Sequence, residues 1–94
     1  MTGATIDELF DDLKENHEFV FEVLGTEYVI QPEVRNGKLF LVINHWTAGL
    51  GCVAEQPIQS EISDADIDAI LKQKCFNGVS FMDLLDDIKI IKEY

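Results

Sequence analysis

The chain has 94 residues, 47% of them hydrophobic, and its eighteen Asp and Glu against seven Lys and Arg leave a formal charge of −11. That length suits one compact α+β domain over residues 1–94, and that composition excludes a disordered acidic tail. The longest uninterrupted aliphatic or aromatic run, Leu39 to Ile43, falls far short of the roughly 20 residues of a membrane span, and the scattered cations offer no patch for nucleic acid, so neither partner is expected.

The first element read along the chain is a helix from about Ile6 to Glu15, because Ile6, Leu9, Phe10 and Leu13 recur at helical spacing. Thr5 with Glu8 three residues on makes a capping box, and Lys14 near the end complements the helix dipole. From His17 the period changes to two: Phe19, Phe21 and Val23 alternate with Glu18, Val20 and Glu22, as on a half-buried strand.

A hairpin turn centred on Gly25-Thr26 leads to a second strand carrying Tyr28, Ile30 and Val34, and pairs Val23 with Tyr28, Phe21 with Ile30 and Phe19 with Pro32. Asn36-Gly37 is the strongest turn signal and opens a third strand, Lys38 to about Trp46. With that first register, a second two-residue turn would make the same residues of the middle strand bond both neighbours. Either a bulge near Pro32 or a three-residue loop at Asn36-Gly37 is therefore expected. The third strand is apolar at every position from Leu39 to Ile43, so either of its faces can be the buried one.

The segment 48–54 either forms a loop or returns as a short fourth strand before the Gln56-Pro57 break. Ser63 caps a second helix with Asp66 at its third position, Ile62 stapled against Ile67, and a buried stripe of Ile67, Ile70 and Leu71. Ser80 and Asp83 open a third helix carrying Phe81, Leu84, Leu85 and Ile88. Residues 88–94 extend that helix or form an edge strand in which Ile88, Ile90 and Lys92 alternate. The expected architecture is a small antiparallel meander of three to four strands packed with three helices, in the order αβββ(β)αα.

Chemical motifs fail when tested against mechanism. Gly49-Leu-Gly51-Cys-Val-Ala54 matches a dinucleotide fingerprint, but Pro57 blocks the helix that would aim N–H groups at a pyrophosphate, and the sheet is antiparallel. Asp64-Ala-Asp66-Ile-Asp68 resembles the start of a calcium loop, yet Ala69 stands where Gly is required and Cys75 where a bidentate Glu is required. His17, His45, Cys52 and Cys75 lack the spacing of a zinc site. His45 and Cys52 lie seven residues apart, but a Cys nucleophile needs a base within reach and usually an orienting third group, and a lone Cys is more often a small core residue and a lone His a polar strand end. The acid pairs Asp11-Asp12 and Asp86-Asp87 read as solvated helix faces. No catalytic residue, metal or cofactor is expected, and both cysteines read as reduced thiols, in keeping with the cytoplasm expected from an N-terminus without a secretory leader.

What remains is a second sheet face carrying Val20, Leu24 and Val29 with either Phe40, Val42 and Trp46 or Leu39, Leu41 and Ile43. Either set is too apolar for simple solvent exposure. Val20, Glu22, Glu27, Val29, Phe40 and Trp46 are the expected partner-binding residues: an apolar, aromatic centre with an acidic rim. Residues 37–60 sum to zero charge while 1–16 carry −4 and 17–36 carry −3, which fits an acidic surface beside an uncharged one. The expected function is non-covalent binding to another protein, with a basic partner suited to the charge, as in an inhibitor or immunity-type protein. The alternatives are a nucleic-acid mimic using Asp7, Asp11, Asp12, Asp83, Asp86 and Asp87, and a homo-oligomeric or accessory structural subunit.

Overall fold

In the computed structural model, which describes all 94 residues, the elements run α1 (Ile6–Lys14), β1 (Phe19–Val23), β2 (Thr26–Arg35), β3 (Lys38–His45), β4 (Cys52–Ile58), α2 (Asp64–Leu71), a 3-10 turn (Leu85–Asp87) and β5 (Lys89–Glu93). The strands form one antiparallel sheet in the order β4-β3-β2-β1-β5. The α+β class expected from the sequence holds, with two α-helices instead of three and five strands instead of three or four.

Both helices begin where their caps place them. Thr5 and Glu8 exchange bonds across the start of α1, the Glu8 amide donating to Thr5 Oγ1 (3.1 Å) and the Thr5 amide to Glu8 Oε1 (3.2 Å). Ser63 and Asp66 repeat the arrangement at α2. At the far end of α1, Asn16 turns left-handed (φ 67°), and the amides of Asn16 and His17 donate back to the carbonyls of Leu13 and Asp12. This satisfies carbonyls that the helix would otherwise leave unpaired and redirects the chain into β1.

The first hairpin corrects the expected register by two residues. Its turn is Leu24-Gly25, with φ of 53° and 82°, so Val23 pairs with Thr26, Phe21 with Tyr28 and Phe19 with Ile30. Two successive positive φ angles give the turn twist that suits a two-residue hairpin. The shift also removes the bonding conflict anticipated at the second turn. With Val23 and Thr26 closing the first turn, alternate residues of β2 bond β1 and the others bond β3. Asn36-Gly37 is accordingly a plain two-residue turn, Arg35 pairing with Lys38, and the β2–β3 ladder runs through Pro32 without a bulge. Leu24 therefore lies in a turn and is largely exposed, not on the second sheet face where the sequence placed it.

The fourth strand forms and runs through Pro57. At the sheet edge a proline's missing N–H faces outward and costs no ladder bond. The third helix does not form. Ser80 caps as expected, its amide donating to Asp83 Oδ2 (2.9 Å) and its hydroxyl accepting from the Asp83 amide (3.1 Å). Tight bonds such as Leu84 N to Phe81 O (3.1 Å) and Asp87 N to Leu84 O (2.8 Å) then replace helical ones. The Ile88 carbonyl accepts from the Thr2 amide (3.0 Å), so the chain leaves the turn extended and residues 89–93 become β5. Gly3 lets the N-terminal segment lie against β5, because a Cβ there would sit 2.2 Å from the Ile90 carbonyl oxygen.

α1, α2 and the 76–88 segment all pack on one side of the sheet. Phe19, Phe21, Ile30, Leu41, Ile43 and Ala54 point into this side and meet Leu9, Leu13, Ile67, Ile70, Leu71 and Phe81. Phe21 is the centre of an aromatic cluster, with ring centroids 5.1 Å from Phe81 and 5.6 Å from Tyr28. Leu41 and Ile43 thus decide the face of β3 that the sequence left open, and Phe40 and Val42 point the other way.

Candidate functional site

Strand alternation and register assign the opposite side of the sheet residue by residue. Rows across it read Lys89–Glu22–Glu27, then Lys92–Val20–Val29–Asn44, then Gln31–Val42–Glu55, then Glu33–Phe40–Pro57. Trp46 continues the first row, its amide donating to the Glu27 carbonyl (3.0 Å). A bulge in β5 opposite Val20 and Phe21 turns Lys92, and with it Tyr94, onto this face. All six expected partner-binding residues, Val20, Glu22, Glu27, Val29, Phe40 and Trp46, therefore share one side. Tyr94 and Lys92 join them and were missed, because residues 88–94 were left between helix and strand and a bulge leaves no period-two signal.

Both helices pack on the other side, and the loop 47–51 borders this face beside Asn44 and Arg35. Val20, Val29 and Val42 are nevertheless 3%, 5% and 0% exposed, so neighbouring side chains shield them. Trp46 and Tyr94 start at different rows, with Val20 and Val29 between them, and their rings meet in a stack with centroids 6.2 Å apart. The Lys92 amine lies 4.8 Å from the Tyr94 ring centre and the Arg35 guanidinium 5.6 Å from that of Phe40. Trp46 and Tyr94 keep about half of their surface in water.

Charge is divided between this face and the rest of the surface. The face holds Glu18, Glu22, Glu27, Glu33 and Glu55 with Arg35, Lys38, Lys89 and Lys92, a net of −1, while the remaining surface holds thirteen carboxylates and three lysines, a net of −10. Arg35 bridges Glu33 (3.0 Å) and Glu55 (2.6 Å), and Glu33 above all pushes its guanidinium pKa further up. Glu22 and Glu27 stand directly opposite each other and neither forms an ion pair. Like charges so placed are mutually destabilising.

The sheet edges are less available than the face. Thr2 bonds along the outer side of β5, accepting from the Ile90 amide (2.8 Å). On β4, Gln73 Nε2 donates to the Glu55 carbonyl (2.7 Å), and Pro57 interrupts the edge. Such devices block pairing with a further strand.

The cavity of about 340 Å³ at one end of the sheet is lined by Val23, Tyr28, His45, Cys75 and Phe76 among others. Burial pushes up both the Cys75 thiol and the Tyr28 phenol, which keeps both protonated and poor as nucleophiles. His45 stacks on Tyr28 with centroids 4.8 Å apart, and its buried Nδ1 has no hydrogen-bond partner. Cys52 is exposed and donates to the Ala54 carbonyl (3.1 Å), not to His45. No nucleophile and base are hydrogen-bonded to each other here, and no three His, Cys, Asp or Glu side chains converge as metal ligands.

The acids of the nucleic-acid mimic do not form two helical rows. Asp83 is engaged with Ser80 and with Lys74 (2.6 Å), and Asp86 and Asp87 lie in a single 3-10 turn. No protein-family model, curated protein sequence or solved structure matches this chain.

Proposed function

We propose that this chain is a protein-binding module, not an enzyme, and that its partner docks on the open face of the sheet. The observation that carries the reading is the placement of Val20, Val29, Val42, Phe40, Trp46 and Tyr94 on one side, while both helices cover the other. A half-exposed aromatic pair over a valine floor, with charges around it, has the make-up of an interface centre and rim. Five strands about 4.8 Å apart and about 17 Å long present roughly 400 Å². A flat contact on that footprint lies at the small end of specific interfaces, which suits weak, reversible association.

A second reading rests on the charge. The net −10 off the open face gives a basic partner long-range attraction, the requirement of an inhibitor or immunity-type protein masking a cationic site. Capture from native cell extract with a tagged chain tests both. The docking face is supported if a protein, the chain's own untagged copy included, is retained by the parent and by Asp11→Asn but lost with Trp46→Ala and Phe40→Ala. Retention by all variants, or no captured protein at all, refutes it. Loss with Asp11→Asn and other substitutions off the face, and release by salt, moves the contact to the acidic surface.

A further inference from the structure

Resting on the docking-face reading, we infer that the occupant of the open face is a second copy of this chain. The face's own charges argue for it. Glu33, Arg35 and Glu55 are tied to one another within the fold and together keep one negative charge. Glu18, Glu22 and Glu27 and, opposite in sign, Lys38, Lys89 and Lys92 take part in no ion pair. Three free anions and three free cations on one surface form a self-complementary set, as an isologous two-fold contact requires. A basic partner would leave the three lysines facing like charge, and an acidic one would do the same to the glutamates.

The register places Lys38 at the opposite end from Glu22 and Glu27, while Lys89 lies in their own row and Lys92 in the next. Glu22, Glu27 and Trp46 share the row nearest the first hairpin turn, and Lys38 stands beside Arg35 at the other end of β2 and β3. A two-fold axis crossing the strands near Val42 and Gln31 lays each copy's Lys38 over the other's Glu27 and Trp46, and brings the two Val42 regions together. The acidic remainder of each copy then faces away from the junction. Raising the salt concentration screens the repulsion between two chains of −11 and tightens the pair, whereas it would weaken a basic partner.

Sedimentation equilibrium from about 10 µM to about 1 mM, in about 0.02 M and about 0.3 M NaCl, reads the association directly. The mean mass should rise from one chain toward two, with association roughly tenfold tighter at the higher salt. At that salt Glu27→Lys and Lys38→Glu, both at exposed positions, should each weaken self-association roughly five- to thirtyfold, since each breaks two symmetric contacts and opposes like charges. Glu27→Lys is the stricter arm, because it lowers the net charge and would tighten any association limited by repulsion alone. An equimolar mixture of the two variants restores opposite charge at every contact and should recover the parental mass. A parent that stays a single chain at about 1 mM in both salts overturns the inference, and so does a dimer indifferent to both variants. A monomer that still loses a captured protein on Trp46→Ala would sink the second copy and leave the docking face standing.

Discussion

Val42 and Ile43 are neighbours in β3, both 0% exposed, and they point to opposite sides of the sheet. Ile43 sits in the core, where helices and strands surround it, whereas Val42 is shielded by side chains alone. Truncation to Ala at each position separates these two kinds of burial. Ile43→Ala removes three carbons, about 2.4 kcal/mol of transfer free energy, and the fixed surroundings leave a cavity of roughly 80 Å³ that adds about 1.9 kcal/mol. The expected loss is about 4 kcal/mol. Val42→Ala removes two carbons, about 1.6 kcal/mol, and Gln31, Glu55 and Phe40 around it are free to close or admit water, so the cavity contribution largely vanishes. Its expected loss is under about 2 kcal/mol. The two substitutions give up β-branching alike, so strand propensity cancels in the comparison. Urea unfolding at low micromolar concentration, where self-association contributes nothing, reads both losses from the midpoints. A loss of about 3 kcal/mol or more for Val42→Ala, the same per carbon as for Ile43→Ala, would mean that the outer face is as rigidly enclosed as the core. The argument for a docking surface would then fail.

Asp83 is held down from its ordinary 3.8 to about 2, chiefly by Lys74 and then by the Ser80 amide and hydroxyl. A depressed acid contributes stability above its unfolded pKa and loses it as pH falls through the folded one. Asp83→Asn should therefore be less stable at neutral pH and should flatten the loss of stability between about pH 4 and pH 2, and an unchanged acid-unfolding curve would contradict the assignment. Gly3→Ala places a Cβ against the Ile90 carbonyl and should detach the N-terminal segment. Hydrogen exchange at the Ile90 amide, which donates to Thr2, would speed up while the β2–β3 amides keep their protection. Cys52 is exposed, whereas burial raises the Cys75 thiol, so alkylation near pH 8 should label Cys52 well before Cys75, and equal rates would argue against the buried loop around Cys75.

Local signals in the sequence were sound at both helix caps and at the second hairpin turn. The boxes at Thr5–Glu8 and Ser63–Asp66 and the Asn36-Gly37 turn all occur where the residue types place them. Errors arose where a distant partner decided the outcome. Leu24 enters a left-handed conformation that its type disfavours, because a turn one residue earlier lets β2 bond both neighbours. Pro57 reads as a break until β4 is known to lie at an edge. Ser80 starts a turn as its cap predicts, but the Thr2 amide takes the Ile88 carbonyl, and an amide nearly ninety residues away leaves no trace in local spacing.

The face itself was readable for a related reason. Parity along a strand survives a register error of two residues, so Val20, Glu22, Glu27 and Val29 stay on one side whether Val23 pairs with Thr26 or with Tyr28. Only the handedness of β3 needed the fold, and the packing of Leu41 and Ile43 against the helices settles it. Parity is lost at a bulge, and for that reason Lys92 and Tyr94 were not foreseen. The same bulge brings Lys92 and Tyr94 over beside Trp46, and without it Glu93 would replace Lys92 on the face and take its net charge from −1 to −3. The near-neutrality that sets this surface apart from the acidic remainder therefore depends on the bulge taking up Ile91 in β5. Deleting Ile91 takes out that residue and lets a regular strand keep Lys92 opposite Val20 and Tyr94 on the same side, so the Trp46–Tyr94 stack and the tryptophan fluorescence should persist, and a changed emission would refute this account of the bulge.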